Sequence, residues 1–146
     1  MIRVRKPRTD DPYLIRIVRE ELIPLNPPGL RPELSDNEII RRLNEAAETY
    51  VWVSRSAVQG FITMLFHTDV LFVDMLAVHR YAQGGGIGSR LLQKAARFGI
   101  RHGCRRMQLY VNEGNRKGIE FYQRHGMTIV SYDYLRRSYV MEKPLP

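Results

Sequence analysis

The sequence predicts an α+β fold built on one mixed, mostly antiparallel sheet. Between Tyr50 and His79, three stretches rich in β-branched and aromatic residues follow one another across short turns, as strands of an antiparallel meander do. Apolar residues recur at helical spacing in four other segments. The two kinds of segment alternate as βααβββ and then αβαββ, with a glycine-rich stretch between strand and helix at the midpoint.

Each element has its own signal. Ile2–Arg5 alternates and reads as the first strand. Asp11 before Pro12 reads as a helix N-cap followed by proline at the first helical position. Leu14, Ile15, Val18 and Leu22 then carry that helix to about Leu22. Pro24, Pro27, Pro28, Gly29 and Pro32 forbid regular structure and predict a stiff loop. Ser35 and Glu38 form a capping box, and Ile39, Ile40, Leu43 and Ala47 give the second helix a buried stripe. Tyr50–Ser54, Phe61–His67 and Leu71–His79 are the meander, with the first turn inside Ser56–Gly60. Gly84–Gly88 opens a third helix whose apolar positions are Ile87, Leu91, Ala95 and Phe98. Met107–Asn112 is a strand, Asn115–His125 a helix stopped by Gly126. Met127–Tyr132 and Ser138–Glu142 are closing strands. No repeat, low-complexity tract or linker interrupts the series, so residues 1–146 read as a single domain.

Composition narrows the function. The single cysteine, Cys104, excludes an internal disulfide framework and a cysteine-ligated zinc site. His67, His79, His102 and His125 show no metal-ligand spacing, and no metal is expected. No apolar run approaches the roughly 18–20 residues of a membrane span. The basic start Met1–Lys6 lacks the apolar stretch of a signal peptide, so the expected location is cytoplasmic. Net charge is +8, and all of the excess lies in residues 74–146, which carry thirteen basic and five acidic side chains. An anionic partner on that half is one explanation, solubility the other.

A strand feeding a glycine-rich loop that opens a helix is an anion cradle. Glycines let several backbone N–H groups face one point, and the helix adds its positive end, contributing roughly 0.3–1 kcal/mol. Gly88 is followed by Ser89 and Arg90 rather than by Lys and Ser/Thr, which excludes a Walker loop. A dinucleotide fingerprint fails as well, because Ser89 holds its third glycine position and Arg105, Arg106 and Gln108 stand where an acidic residue is needed.

Gln83-Gly84-Gly85-Gly86-Ile87-Gly88 resembles the Gln/Arg-x-x-Gly-x-Gly/Ala acyl-coenzyme A loop of the GNAT superfamily, the Gcn5-related N-acetyltransferases. The preceding Leu76-Ala77-Val78 strand and the downstream block Asn115 to Met127, with Tyr122 seven residues after Asn115, are similar to further blocks of that family. The resemblance implies a GNAT-type sheet with a splayed central strand pair and flanking helices. It implies acetyl-CoA as co-substrate, held by the backbone of Leu76, Ala77 and Val78, by the loop Gln83, Gly84, Gly85, Gly86, Ile87, Gly88 and Ser89, and by Asn115. Asn115 reads independently as a helix N-cap.

By the same resemblance Tyr122 is the general acid that reprotonates the coenzyme A thiolate. The base is less determined. Histone-modifying members carry a Glu six residues before the position of Val78, which here is Phe72. Ribosomal-protein-modifying members carry a Glu five residues before the Asn, which here is Tyr110. A third group carries histidines on the strand, one at the position of Asp74. Asp74 is therefore the expected catalytic carboxylate, with Tyr110 or solvent as alternatives. Alternation places Asp74 on the face of Phe72 and Leu76 unless a bulge breaks the phase. Arg80, Gly118 and Met127 depart from the family's usual Pro, Ala and Phe.

Arg90, Lys94, Arg97 and Arg101 form a basic stripe that reads first as a solvated helix face. Trp52 and Tyr50 read as core or edge-strand anchors. The Pro24–Pro32 loop is expected to wall the acceptor pocket. The reading is direct acetyl transfer to a primary amine of a small molecule, protein or peptide, with no membrane partner. A silent acyl-CoA sensor, supported by the missing glutamates, and a nucleic-acid-binding module, supported only by charge, are the alternatives. A homodimer is left open.

Overall fold

A computed structural model describes all residues, 1–146. Seven strands form one sheet: β1 Ile2–Val4, β2 Glu48–Ser54, β3 Ala57–His67, β4 Val70–Val78, β5 Arg106–Asn112, β6 Thr128–Asp133 and β7 Ser138–Pro144. Their spatial order is β1-β2-β3-β4-β5-β7-β6, antiparallel throughout except for β4 beside β5. The helices are α1 Pro7–Ile17, α2 Asp36–Glu45, α3 Ile87–Arg101 and α4 Arg116–Arg124. Element order and strand content match the sequence expectation.

The helices cover both faces. On one, Leu14 and Ile17 of α1 and Ile39 and Leu43 of α2 pack on Val51, Phe61, Met75 and Ala77. On the other, Leu91, Leu92, Ala95 and Phe98 of α3 pack on Ile62, Leu71, Met107 and Leu109, with Ile119 and Phe121 of α4 beside them. Leu91 is fully buried. Truncating such a leucine to alanine costs about 2–5 kcal/mol. The Ser35–Glu38 capping box starts α2 as expected, with Glu38 N–H on Ser35 Oγ at 3.2 Å.

Two local expectations are corrected. The first helix begins at Pro7, not after Asp11, and Pro12 lies inside it. Asp10 and Asp11 serve the strand instead. Arg3 grips both oxygens of Asp10 at 2.7 and 2.9 Å, and Arg5 grips both oxygens of Asp11 at 2.7 Å. Asp10 also accepts the Lys6 N–H, satisfying an amide at the helix start. After Ile17 the helical path continues as a wider turn, Val18–Leu22, and the proline loop holds two short 3-10 turns, Ile23–Leu25 and Pro28–Leu30. The β2–β3 turn is tighter than predicted. Arg55 and Ser56 take φ of 52° and 64°, closing a two-residue hairpin before Ala57.

Two irregularities of β4 create the site. Thr63 pairs with Met75 and Met64 with Val73, so Asp74 is the extra residue of a bulge. The bulge reverses the side-chain phase. Leu71 and Val73 point toward α3, whereas Met75 and Ala77 point toward α1 and α2. Second, β4 and β5 pair only over Val70–Phe72 with Arg106–Gln108 and then diverge. The expected splay of the central pair is present.

Candidate active site

The wedge between β4 and β5 opens to both faces of the sheet. On the α3/α4 side a groove of about 490 Å³ is lined by Leu76, Ala77 and Val78 of β4, by Gln83, Gly84 and Gly86–Ser89 of the loop, and by Asn115, Phe121 and Tyr122. On the α1/α2 side a cavity of about 540 Å³ is lined by Phe72 and Asp74 of β4, Tyr110 and Asn112 of β5 and the proline loop. Leu22, Leu25, Leu76, Asn115 and Tyr122 border both spaces.

The groove offers groups that can hold an anion. No backbone N–H from Gly84 to Ser89 donates a hydrogen bond within the protein; the α3 ladder starts with Arg90 N–H on Gly86 O at 3.1 Å. Six consecutive amides therefore lack partners at the head of a fifteen-residue helix. Gly84 and Gly86 take φ of +87° and +84°, the left-handed region that turns neighbouring amides toward a common point, and a Cβ on either would meet open space. Lys117 and Arg124 add cations to the lining.

The loop is tied to the strand by Gln83, whose Nε2 donates to Val78 O at 2.9 Å while its Oε1 accepts from Lys117 Nζ at 3.3 Å. That bond shows which way β4 presents its backbone. His79 N–H donates to Gln59 O of the β3 side. Antiparallel alternation then directs the polar groups of Ala77 toward β3 and those of Leu76 and Val78 toward the wedge. Ala77 instead buries its methyl under α1 and α2.

Asn115 is the N-cap of α4, its Oδ1 accepting from Gly118 N at 3.0 Å. A Cβ at position 118 would collide with the Asn115 amide, so glycine accommodates this cap. Arg80 is similarly purposeful. Its backbone N–H donates to Glu21 Oε2 at 2.7 Å and its guanidinium reaches Glu21 and Glu20 O, so it uses an N–H that proline lacks. Glu20, Glu21 and His79 bring ligand atoms together, yet Arg16 and Arg80 hold the two carboxylates, which makes the group an ion-pair network.

Tyr122 stands where groove and cavity meet. Burial pushes its hydroxyl pKa far up, so the phenol stays protonated. Asp74 lies 11% exposed in the cavity wall with Arg42 Nε and Nη2 on its two oxygens, both at 2.9 Å. It shares its face with Phe72 but not with Leu76, which the bulge sends toward α3. Phe72 and Tyr110 form an edge-on aromatic pair 5.4 Å apart, and the Arg136 guanidinium lies 4.8 Å from the Tyr110 ring.

Sequence reasoning missed Arg42, Arg136 and Asn112. Arg42 flanks Ile39 and Leu43 at the border of the buried face of α2, a placement that carried no signal. Asn112 Nδ2 is buried in the cavity wall without a partner. The basic stripe of α3 is partly spoken for, since Arg90 lies over Trp52 at 5.4 Å and Lys94 over Tyr50 at 5.2 Å.

Comparison with known proteins agrees with this architecture. The profile of the Acetyltransferase (GNAT) family matches residues 14–127. Ard1 from Thermoplasma volcanium superposes with a TM-score of 0.84 at 21% identity, covering 100% of this chain and 97% of that one. The PaiA N-acetyltransferase from Thermoplasma acidophilum, solved in complex with coenzyme A, gives 0.81 at 22% identity over 99% of both chains. A GNAT-family acetyltransferase from Streptococcus pneumoniae gives 0.77 at 21%, covering 100% of this chain and 99% of that one. At these identities the likeness is one of fold. A sequence search among curated proteins gives no significant match.

Proposed function

Because this chain belongs to the acetyltransferase (GNAT) family, we propose that it is an acetyl-CoA-dependent N-acetyltransferase moving the acetyl group directly to a primary amine. The observation that carries the reading is the run of six unpartnered amides, Gly84–Ser89, opening onto the same groove as the free edge of β4 and Tyr122. In this reading those amides hold the pyrophosphate, and the backbone of Leu76 with the Val78 N–H orients the pantetheine arm. Ala77, Gln83 and Asn115 fix the groove's shape. When bound, acetyl-CoA supplies an activated thioester.

The chain's own groups do the rest. The cavity beyond Tyr122 receives the amine, which at pH 7 is neutral only about one time in 2,500 for a pKa near 10.4. Its proton leaves to water. The neutral nitrogen bonds to the acetyl carbon and releases a second proton to water as the carbon–sulfur bond breaks. Tyr122 donates its hydroxyl proton to the departing sulfur and is reprotonated from solvent. Asp74 is assigned to this step with a changed emphasis. Arg42 donates to both Asp74 oxygens, so the carboxylate is already engaged within the wall. We therefore assign Asp74, with Arg42, to shaping the cavity wall and ordering water there.

No helix is long and apolar enough to cross a membrane; a cytoplasmic setting belongs to the proposal. The absence of glutamate at Phe72 and Tyr110 favours one second reading, an acyl-CoA sensor without turnover. Thiol release from acetyl-CoA over a panel of primary amines separates the two. Amine-dependent release supports the enzyme, and tight binding by calorimetry with no release under any amine supports the sensor.

A further inference from the structure

We infer that the acceptor is a primary amine whose nitrogen is followed by an apolar, uncharged segment, and not a polyamine or amino sugar. This rests on the acetyltransferase reading and concerns the cavity on the α1/α2 side. Fifteen of the twenty-three residues lining that cavity are hydrophobic. The proline loop contributes Leu25, Leu30 and Leu34, the splayed strands contribute Phe72 and Tyr110, and the β6–β7 hairpin contributes Leu135.

Charge decides against a polycation. Asp74 is the only carboxylate in the lining, and Arg42 occupies both of its oxygens. The other charged liners are Arg42 and Arg136, both cationic. Arg136 is itself held by Asp133 at 2.7 Å and packed over Tyr110. A second ammonium entering this space would find no free carboxylate and would face two guanidinium groups. A single amine gives up its charge before reacting and meets no such cost.

The mouth carries the same chemistry outward. Leu25, Leu30 and Leu135 line the cavity and are 44, 40 and 88% exposed. Apolar side chains concentrated at the rim of a cleft mark a surface that an apolar ligand covers. The bound segment therefore continues past the cavity between proline loop and hairpin. Two sources share that chemistry: a small arylalkylamine, and the α-amino terminus of a peptide with apolar first residues.

Steady-state thiol release with the intact chain tests this, using 2-phenylethylamine, the peptide Met-Leu-Phe amide, spermidine and kanamycin. The expected result is a kcat/KM for at least one apolar amine about tenfold or more above that for spermidine and kanamycin, the scale of discrimination that apolar pockets achieve. Preference for the peptide over phenylethylamine assigns the source as a polypeptide terminus, and the reverse assigns a small amine. Leu135→Glu, at a solvent-exposed position, places a free carboxylate at the rim and should narrow the ratio by about threefold or more. Equal or better use of spermidine or kanamycin by the wild type overturns the inference and leaves the acetyltransferase standing. An unchanged ratio in Leu135→Glu overturns the role of the rim. No release with any amine overturns the inference, and absence of acetyl-CoA binding by calorimetry in the same sample overturns the proposed function with it.

Discussion

Tyr122 borders both the groove and the cavity, where the proposed function needs a proton donor. Burial raises its pKa and holds the proton through the neutral and alkaline range. Tyr122→Phe keeps the ring in place and removes the proton. Turnover is expected to fall by about 10²–10⁴, with acetyl-CoA affinity by calorimetry unchanged. A rate within about threefold of wild type would return Tyr122 to packing. Asp74 calls for a different readout, because its two oxygens are already engaged by Arg42. Asp74→Asn breaks that ion pair while keeping the shape. If Asp74 shapes the cavity, KM for the amine rises and the acidic limb of the kcat/KM profile persists, set by amine ionisation. If Asp74 is the base, kcat falls with KM for the amine little changed, and the loss shrinks as rising pH frees the amine.

At the scale of elements, the loop before α3 and the bulge of β4 divide the labour. The loop presents bare backbone amides, and its positions 84 and 86 take φ of +87° and +84°, which favours glycine there. Gly86→Glu introduces a strained left-handed residue at the α3 N-cap and a negative charge where the pyrophosphate is proposed to sit. Acetyl-CoA binding is expected to vanish while circular dichroism stays that of the wild type. Unchanged binding by the folded variant would remove the loop from the site. The bulge contributes by geometry. One additional residue in β4 lets Phe72 and Asp74 face the acceptor cavity while Leu76 and Val78 face the opposite groove. A single strand thereby lines a space on each side of the sheet.

The whole molecule is held at its first edge by ion pairs. Burial opposes ionisation of Asp10, yet hydrogen bonds from Arg3 and the Lys6 N–H outweigh it, and its pKa is lowered. A lowered folded-state value adds stability above the unfolded carboxyl pKa of about 3.9, and that stability is lost as pH falls through the folded value. Urea midpoints should therefore drop as pH falls below about 4, and Asp10→Asn should be less stable at pH 7 with a shallower acid dependence. Equal slopes would show that the pair is not what acid breaks. The wedge offers a second handle. Strands β4 and β5 are bridged only over three residue pairs, and a ligand seated between them stabilises the folded state alone. Saturation at about 100 times Kd should add about 2.7 kcal/mol, read as a rise in Tm with acetyl-CoA. No rise in Tm would count against binding in the wedge.

The sequence by itself determined what depends on near neighbours in the chain. Element order, the α2 capping box, the glycine loop at the head of α3 and the Asn115 cap are local patterns, each fixed within a few residues by backbone geometry or one hydrogen bond. The start of α1 was misplaced: the helix begins at Pro7, and Asp10 and Asp11, rather than capping it, pair with Arg3 and Arg5. Only the tertiary structure decided the face on which each residue of β4 acts, because a bulge is set by pairing with β3 and flips every later side chain. It also decided that Asp74 meets Arg42, thirty-two residues away on α2, and that Phe72 meets Tyr110 from another strand. Those partners come from separate elements, and no spacing along the chain encodes their contact. The shape of the groove was legible because glycines and bare backbone amides build it. The character of the cavity on the α1/α2 side was not, because side chains from six separate stretches of chain build it and only folding brings them to one place.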